Sequence, residues 1–106
     1  MEDRLERAFY RVLYPRSLRP ILLIGAERFS VVDASELGLR FIAIGLGPSL
    51  GAAIIGRLAL PETPPMEIEG IVVRRDDRYV ALALAPGIPY RVILDQQRLL
   101  HQRILI

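Results

Sequence analysis

Short apolar runs separated by Gly, Pro and acidic turns fill the middle of the chain, which is the habit of a β-sandwich or barrel. They predict strands at 21–24, 29–33, 39–44, 54–60, 66–75 and 79–85. Gly25-Ala26-Glu27 and Asp76-Asp77-Arg78 carry the turn chemistry of tight hairpins. The stretch from Gly45 to Gly51 holds too much Gly for a regular element and reads as a loop, and Pro61 to Pro65 reads as a polar excursion. Six strands of this length suffice to close a small barrel, which removes the exposed edges that promote aggregation.

The period changes at both ends. Leu5, Phe9 and Val12 recur at helical spacing and predict a short amphipathic helix over 1–13. Pro15 and Pro20 then bracket Arg16-Ser17-Leu18-Arg19, and a Pro at each end argues for an extended or turning connector. After Pro86-Gly87, Val92, Ile93, Leu99, Leu100 and Ile104 predict a helix over 88–106. Arg91, Gln96, Gln97, Arg98, Gln102 and Arg103 fill its other face. The chain is thus expected to form one domain over 1–106: an Arg-rich segment at 1–20, a barrel at 21–85 and a closing helix.

Composition narrows the chemistry. A length of 106 residues suits a single core without staples. The absence of Cys excludes disulfides, thiolate metal sites and a cysteine nucleophile. All 14 basic residues are Arg, so Schiff-base lysines and the P-loop lysine are excluded too. A single His, His101, leaves no multi-His metal site. The carboxylate pairs Asp76-Asp77 and Glu67 with Glu69 read as solvated charge, and the Gly45 to Gly51 loop lacks the GxxxxGK[ST] spacing of a phosphate cradle. An enzyme is disfavoured. No apolar run is long enough to span a membrane, and the acidic start Met1-Glu2-Asp3-Arg4 is unlike a secretion signal, so the expected location is cytoplasmic without membrane insertion. A net charge of +2 predicts no polyanionic partner by itself. GC-rich coding sequence alone favours Arg over Lys, yet guanidinium forks also suit phosphate oxygens and guanine edges. The positions of the Arg residues therefore carry more information than their number.

Two clusters stand out. The first is Arg7-Ala8-Phe9-Tyr10-Arg11, followed by Arg16 and Arg19, a window of four Arg and no acid. The second is Asp33-Ala34-Ser35-Glu36-Leu37-Gly38 at a strand end. Residues two apart in a strand share a side, so Asp33 and Ser35 would present a carboxylate and a hydroxyl together, and Gly38 could supply a positive-φ turn. Either cluster alone also has a plain reading, in which Asp and Ser bond their own backbone and Gly closes the turn.

Together, RxxxR at Arg7 and Arg11 followed about twenty residues later by DxSxxG at Asp33, Ser35 and Gly38 resembles the two-part signature of PilZ domains. The resemblance extends to the Tyr14-Pro15 and Arg19-Pro20 steps, the run from Val32 to Arg40, the Gly70-Ile71-Val72-Val73-Arg74 strand and the closing segment from Leu94 to Leu100. It implies an all-β fold, a six-stranded antiparallel β-barrel with a C-terminal α-helix and a flexible or short helical N-terminal segment. It further implies a non-enzymatic receptor for the bacterial second messenger cyclic di-GMP, with no other cofactor, that signals to an unidentified downstream protein. Arg7 and Arg11 would fold over the ligand, with Asp33, Ser35 and Gly38 as the opposing wall. Arg16, Arg19, Arg40 and Arg74 are candidate additional contacts.

Chemistry agrees with that expectation. Arg can be bidentate to phosphate or to the O6/N7 edge of guanine and can stack on the base, while Asp33 could accept from guanine N1–H and the 2-amino group. Two positions depart from the pattern: Ala8 stands where many members carry a further Arg, and Arg74 or Arg75 stands where some carry an aromatic ring. The alternatives are a PilZ-like protein-interaction module that binds no nucleotide, and a small β-barrel for RNA or single-stranded DNA. Seven aromatics, four Tyr and three Phe, make a poor stacking platform, so a nucleic-acid partner is disfavoured.

Overall fold

The computed structural model describes residues 10–45 and 47–105. Alternation of buried and exposed positions builds the strands, most plainly in β5 (Ala53–Ala59), where Ile54, Gly56 and Leu58 face inward and their neighbours face out. The other strands are β1 (Val12–Leu13), β2 (Ile21–Ile24), β3 (Glu27–Ala34), β4 (Gly38–Ile42), β6 (Met66–Arg75) and β7 (Tyr79–Leu84), and one helix, α1 (Tyr90–Leu105), follows. All pairings are antiparallel and run β3-β2-β5-β6-β7-β4, with β4 returning to β3. The six strands therefore close into a barrel, with β1 as an extra short strand on β3.

The six expected strands are present, with ends moved by no more than a few residues, and β2 and β6 match in full. The N-terminal expectation needs correction. Met1 to Phe9 lie outside the described residues, but Tyr10 to Leu13 are not helical: Val12 and Leu13 pair with Ala34 and Asp33. The two-residue strand wins because Val12 fills the core at 3% exposure and its backbone completes the ladder along β3. The Pro15 to Pro20 connector is an excursion within that same strand line. Tyr14 N donates to Val32 O, the chain leaves through a 3-10 turn at Arg16–Leu18, and pairing resumes with Val31 N donating to Pro20 O.

Gly25 and Ala26 form a two-residue hairpin turn between the paired residues Ile24 and Glu27. Gly25 has φ 61°, the positive value that such a turn demands at its first position. At the other hairpin the Asp76 carboxylate accepts from the backbone N–H of Arg78 and Tyr79, which holds its pKa below the usual carboxylate value.

Leu22, Val31, Leu39, Phe41, Leu58, Val72 and Val80 fill the barrel, with the Phe29 and Phe41 rings 5.0 Å apart. Helix α1 starts two residues later than expected, after Pro89, whose carbonyl accepts from Val92 and Ile93. Its inward face carries Ile93 and Leu100, and also Gln96, which was expected to face solvent. Gln96 lies three residues after Ile93 and four before Leu100, so helical spacing puts it on the buried stripe. Its burial is compensated: Tyr14 Oη donates to Gln96 Oε1 at 2.7 Å, and Gln96 Nε2 donates to Pro61 O at 2.8 Å and Thr63 Oγ1 at 3.1 Å. Burial pushes the Tyr14 hydroxyl above the ordinary tyrosine range, so it stays a donor.

This bond ties the residue after β1 to the helix. Tyr14→Phe should leave Gln96 Oε1 buried without its donor and lower stability by about 1–3 kcal/mol in urea denaturation. An unchanged midpoint would show that the bond contributes nothing.

Candidate functional site

An irregularity in β3 creates the central feature. Val31 pairs with Phe41, but Asp33 pairs with Arg40, so Val32 is an extra residue, a β-bulge. In a regular strand Val31 and Asp33 would share a face, and Val31 faces the core. The bulge turns Asp33 to the outer face, where Arg40 stands. There its carboxylate accepts from Arg11 Nη1 through Oδ1 and from Arg40 Nε through Oδ2, both at 2.9 Å. The Asp33 side chain is 3% exposed, while those of Arg11 and Arg40 are 55% and 43% exposed. A buried carboxylate is thus pinned between two cations that remain half in solvent.

A second bulge does the same for Arg74. Val72 pairs with Leu82 and Arg74 with Ala81, with Val73 in excess. The registers then align Leu13, Asp33, Arg40, Ala81 and Arg74 as successive cross-strand neighbours on β1, β3, β4, β7 and β6. Arg40 and Arg74 stand two strands apart, about 10 Å by backbone spacing, with Ala81 between them. The guanidinium of Arg40 also lies 4.9 Å over the Tyr79 ring, a cation–π contact that further fixes it.

These residues line an open cleft of about 790 Å³. Of the residues singled out from the sequence, Arg11, Asp33, Ser35, Gly38, Arg40 and Arg74 all line it. Arg7 lies outside the described residues. Arg16 and Arg19 do not line the cleft; they sit in and just after the 3-10 turn, and the Arg19 Nε is buried without a hydrogen-bond partner among the described residues. Arg75 faces elsewhere, donating to the carbonyls of Ala43 and Gly45. It thereby anchors the loop that was weighed as a phosphate cradle.

In this turn Ser35 follows the plain reading of the segment, and Gly38 departs from the expected one. Ser35 serves its own turn: its N–H donates to Gly38 O at 2.8 Å and its hydroxyl to the same oxygen at 3.3 Å. Gly38 does not have positive φ. It is constrained by proximity, because a Cβ there would stand 2.8 Å from the Leu82 carbonyl oxygen of β7. The turn is also bound from outside, since Leu84 N donates to Leu37 O and Ile88 N to Glu36 O.

The sequence reading missed the apolar part of the cleft. Leu13, Leu37 and Val73 line it with 67%, 56% and 56% exposure, Ala81 contributes a small side chain between Arg40 and Arg74, and Ala83 another beside Gly38. Ala81 and Ala83 alternate with buried Val80, Leu82 and Leu84, so the outward placement of small residues was visible as a period-2 pattern. Val73 was visible too, since it alternates with buried Val72 along β6, whereas the outward turn of Arg74 follows from the bulge. Among the described residues, three guanidiniums against one carboxylate, beside alanines and exposed aliphatic groups, can hold an anion that carries flat or apolar surface.

No family model matches the sequence, and no curated protein matches it. Among solved structures, the chain is similar to the crystal structure of the uncharacterized Legionella protein Lpg0364. The TM-score is 0.66 at 16% identity, over 90% of this chain and 98% of that one. This is a likeness of fold.

The pinned carboxylate has a measurable signature. A double-mutant cycle on Arg40→Ala and Asp33→Asn, read by urea denaturation, should give a coupling of about 1 kcal/mol or more. Additivity to within about 0.5 kcal/mol would mean that the pair contributes no mutual stabilisation.

Proposed function

We propose that the cleft binds cyclic di-GMP and that the protein is a PilZ-type receptor, a bacterial cytoplasmic adaptor that passes messenger level to a partner protein. The observation that carries this reading is convergence. Arg11, the Asp33-Ser35-Gly38-Arg40 group and Arg74 come from three separated stretches of chain and line one cleft. Residues from the matching positions of the signature thus meet where a ligand could touch them together.

The chemistry of the messenger suits the lining. Its two phosphates call for cations, and its two guanines call for stacking surface and polar edges. Arg11, Arg40 and Arg74 offer charge and planar faces at once. Ala81 and Ala83 leave room for a ring to lie against the sheet. Arg7 would add a further guanidinium from the segment before Tyr10. Output would follow from Arg11. It stands next to β1, and Tyr14 just beyond β1 is bonded to Gln96 of α1, so a ligand that draws on Arg11 acts one short strand away from the helix.

Calorimetric titration with cyclic di-GMP tests the proposal. The wild type should bind at or below the order of tens of micromolar. Arg11→Ala should bind at least tenfold more weakly, in line with the roughly 2–5 kcal/mol for truncating one side of a desolvated charge contact. Arg11→Lys should also be impaired, because an ammonium offers neither the fork nor the plane, whereas Arg57→Lys on β5 should bind as the wild type does. A folded wild type that gives no heat would contradict the reading and favour a nucleotide-free interaction module.

A further inference from the structure

The outer face of the barrel between β5 and β7 breaks the usual alternation of apolar inside and polar outside. Ile55 on β5 and Ile71 and Val73 on β6 point outward at 63%, 52% and 56% exposure. The register sets Ala53, Ile71 and Ala83 side by side across β5, β6 and β7, so these residues form one contiguous apolar strip. Charge brackets the strip along β6. Ala85 N donates to Glu69 O, Ala83 pairs with Ile71 and Ala81 pairs with Arg74, so Glu69 and Arg74 lie one two-residue step of β7 to either side of Ile71. That step is about 7 Å. The Val73 bulge makes the spacing even, because it carries Arg74 to the outer face. Both side chains are exposed, and neither makes a hydrogen bond or ion pair among the described residues.

We propose that this strip is a dimerisation surface whose occupant is a second copy of the same chain, with β6 of one protomer crossing antiparallel over β6 of its partner. The charge order selects both the occupant and the axis. A twofold interface joins one patch to itself, so it suits a patch whose opposite charges lie at equal distances about an apolar centre. A twofold axis running along β6 would set Glu69 on Glu69 and Arg74 on Arg74. An axis across the strands instead sets Ile71 on Ile71 and Glu69 on the partner's Arg74, twice per dimer. It also brings Ile55 over the turn that holds Leu50, itself 67% exposed. The strands here are paired on both sides, so the protomers meet through side chains, face to face. The dimer depends on this sheet face alone, whatever the cleft binds.

The test is sedimentation equilibrium of the full chain, without ligand because Arg74 also lines the cleft. A concentration series reaching about 0.5 mM covers the range of a small interface. The wild type should approach twice the monomer mass. Ile71→Asp, Glu69→Arg and Arg74→Glu should each weaken association at least about tenfold, the last two by setting like charges together. Glu69→Arg combined with Arg74→Glu exchanges the pair across the axis and should return the dimer to within about threefold of the wild type. Recovery in the double variant separates a broken ion pair from a damaged fold. A dimer indifferent to Ile71→Asp, or a double variant as weak as the single ones, would overturn the proposal. So would a wild type that stays monomeric throughout, which would assign the strip to a different protein.

Discussion

The buried carboxylate of Asp33 is the constraint around which this surface is organised. A charge removed from water needs compensation, and here Arg11 and Arg40 supply it from two different elements. Meeting that need requires the Val32 bulge, which turns Asp33 outward, and the β1 pairing, which brings Arg11 alongside. The result is an Arg-lined cleft in which Arg11 and Arg40 are held in place by the carboxylate between them. A simple barrel face with the same composition would leave these Arg side chains free in solvent.

The rest of the fold supports that arrangement from beneath. Val31, Leu39, Phe41, Val72 and Leu82 pack under the cleft and hold β3, β4, β7 and β6 in register. That register lines up Asp33, Arg40, Ala81 and Arg74 across four strands. On the opposite flank of β1, Tyr14 and Gln96 fasten the strand line to α1 and to the loop at Pro61 and Thr63. Arg11 and Tyr14, three residues apart, therefore face two different tasks, one toward the cleft and one toward the helix.

Much of this was legible in the sequence, and what was not has identifiable causes. Strands with strict alternation or long apolar runs, such as β5 and β6, announced themselves by period. Val12 and Leu13 did not, because a two-residue strand has no period and Val12 also fits a helical spacing with Leu5 and Phe9. Gln96 was assigned by polarity, although its spacing from Ile93 and Leu100 put it on the buried stripe. At the site, Asp33, Ser35, Gly38 and Arg11 were found by residue type and order, but two roles differ. Gly38 is demanded by the approach of the Leu82 carbonyl, not by φ. Asp33 faces Arg40 because of a bulge that leaves no mark in the sequence, and the outward turn of Arg74 follows from a second one.

The account stands on the cleft as the place where a guanidinium-seeking ligand binds. Its most direct test is an amide NMR titration of the full chain with cyclic di-GMP. The largest shifts should fall on Arg11, Gly38, Arg40, Arg74, Ala81 and Ala83, with a smaller response at Tyr14 and Gln96. Shifts confined to other faces of the barrel or to the outer side of α1, or no shifts at all, would contradict it.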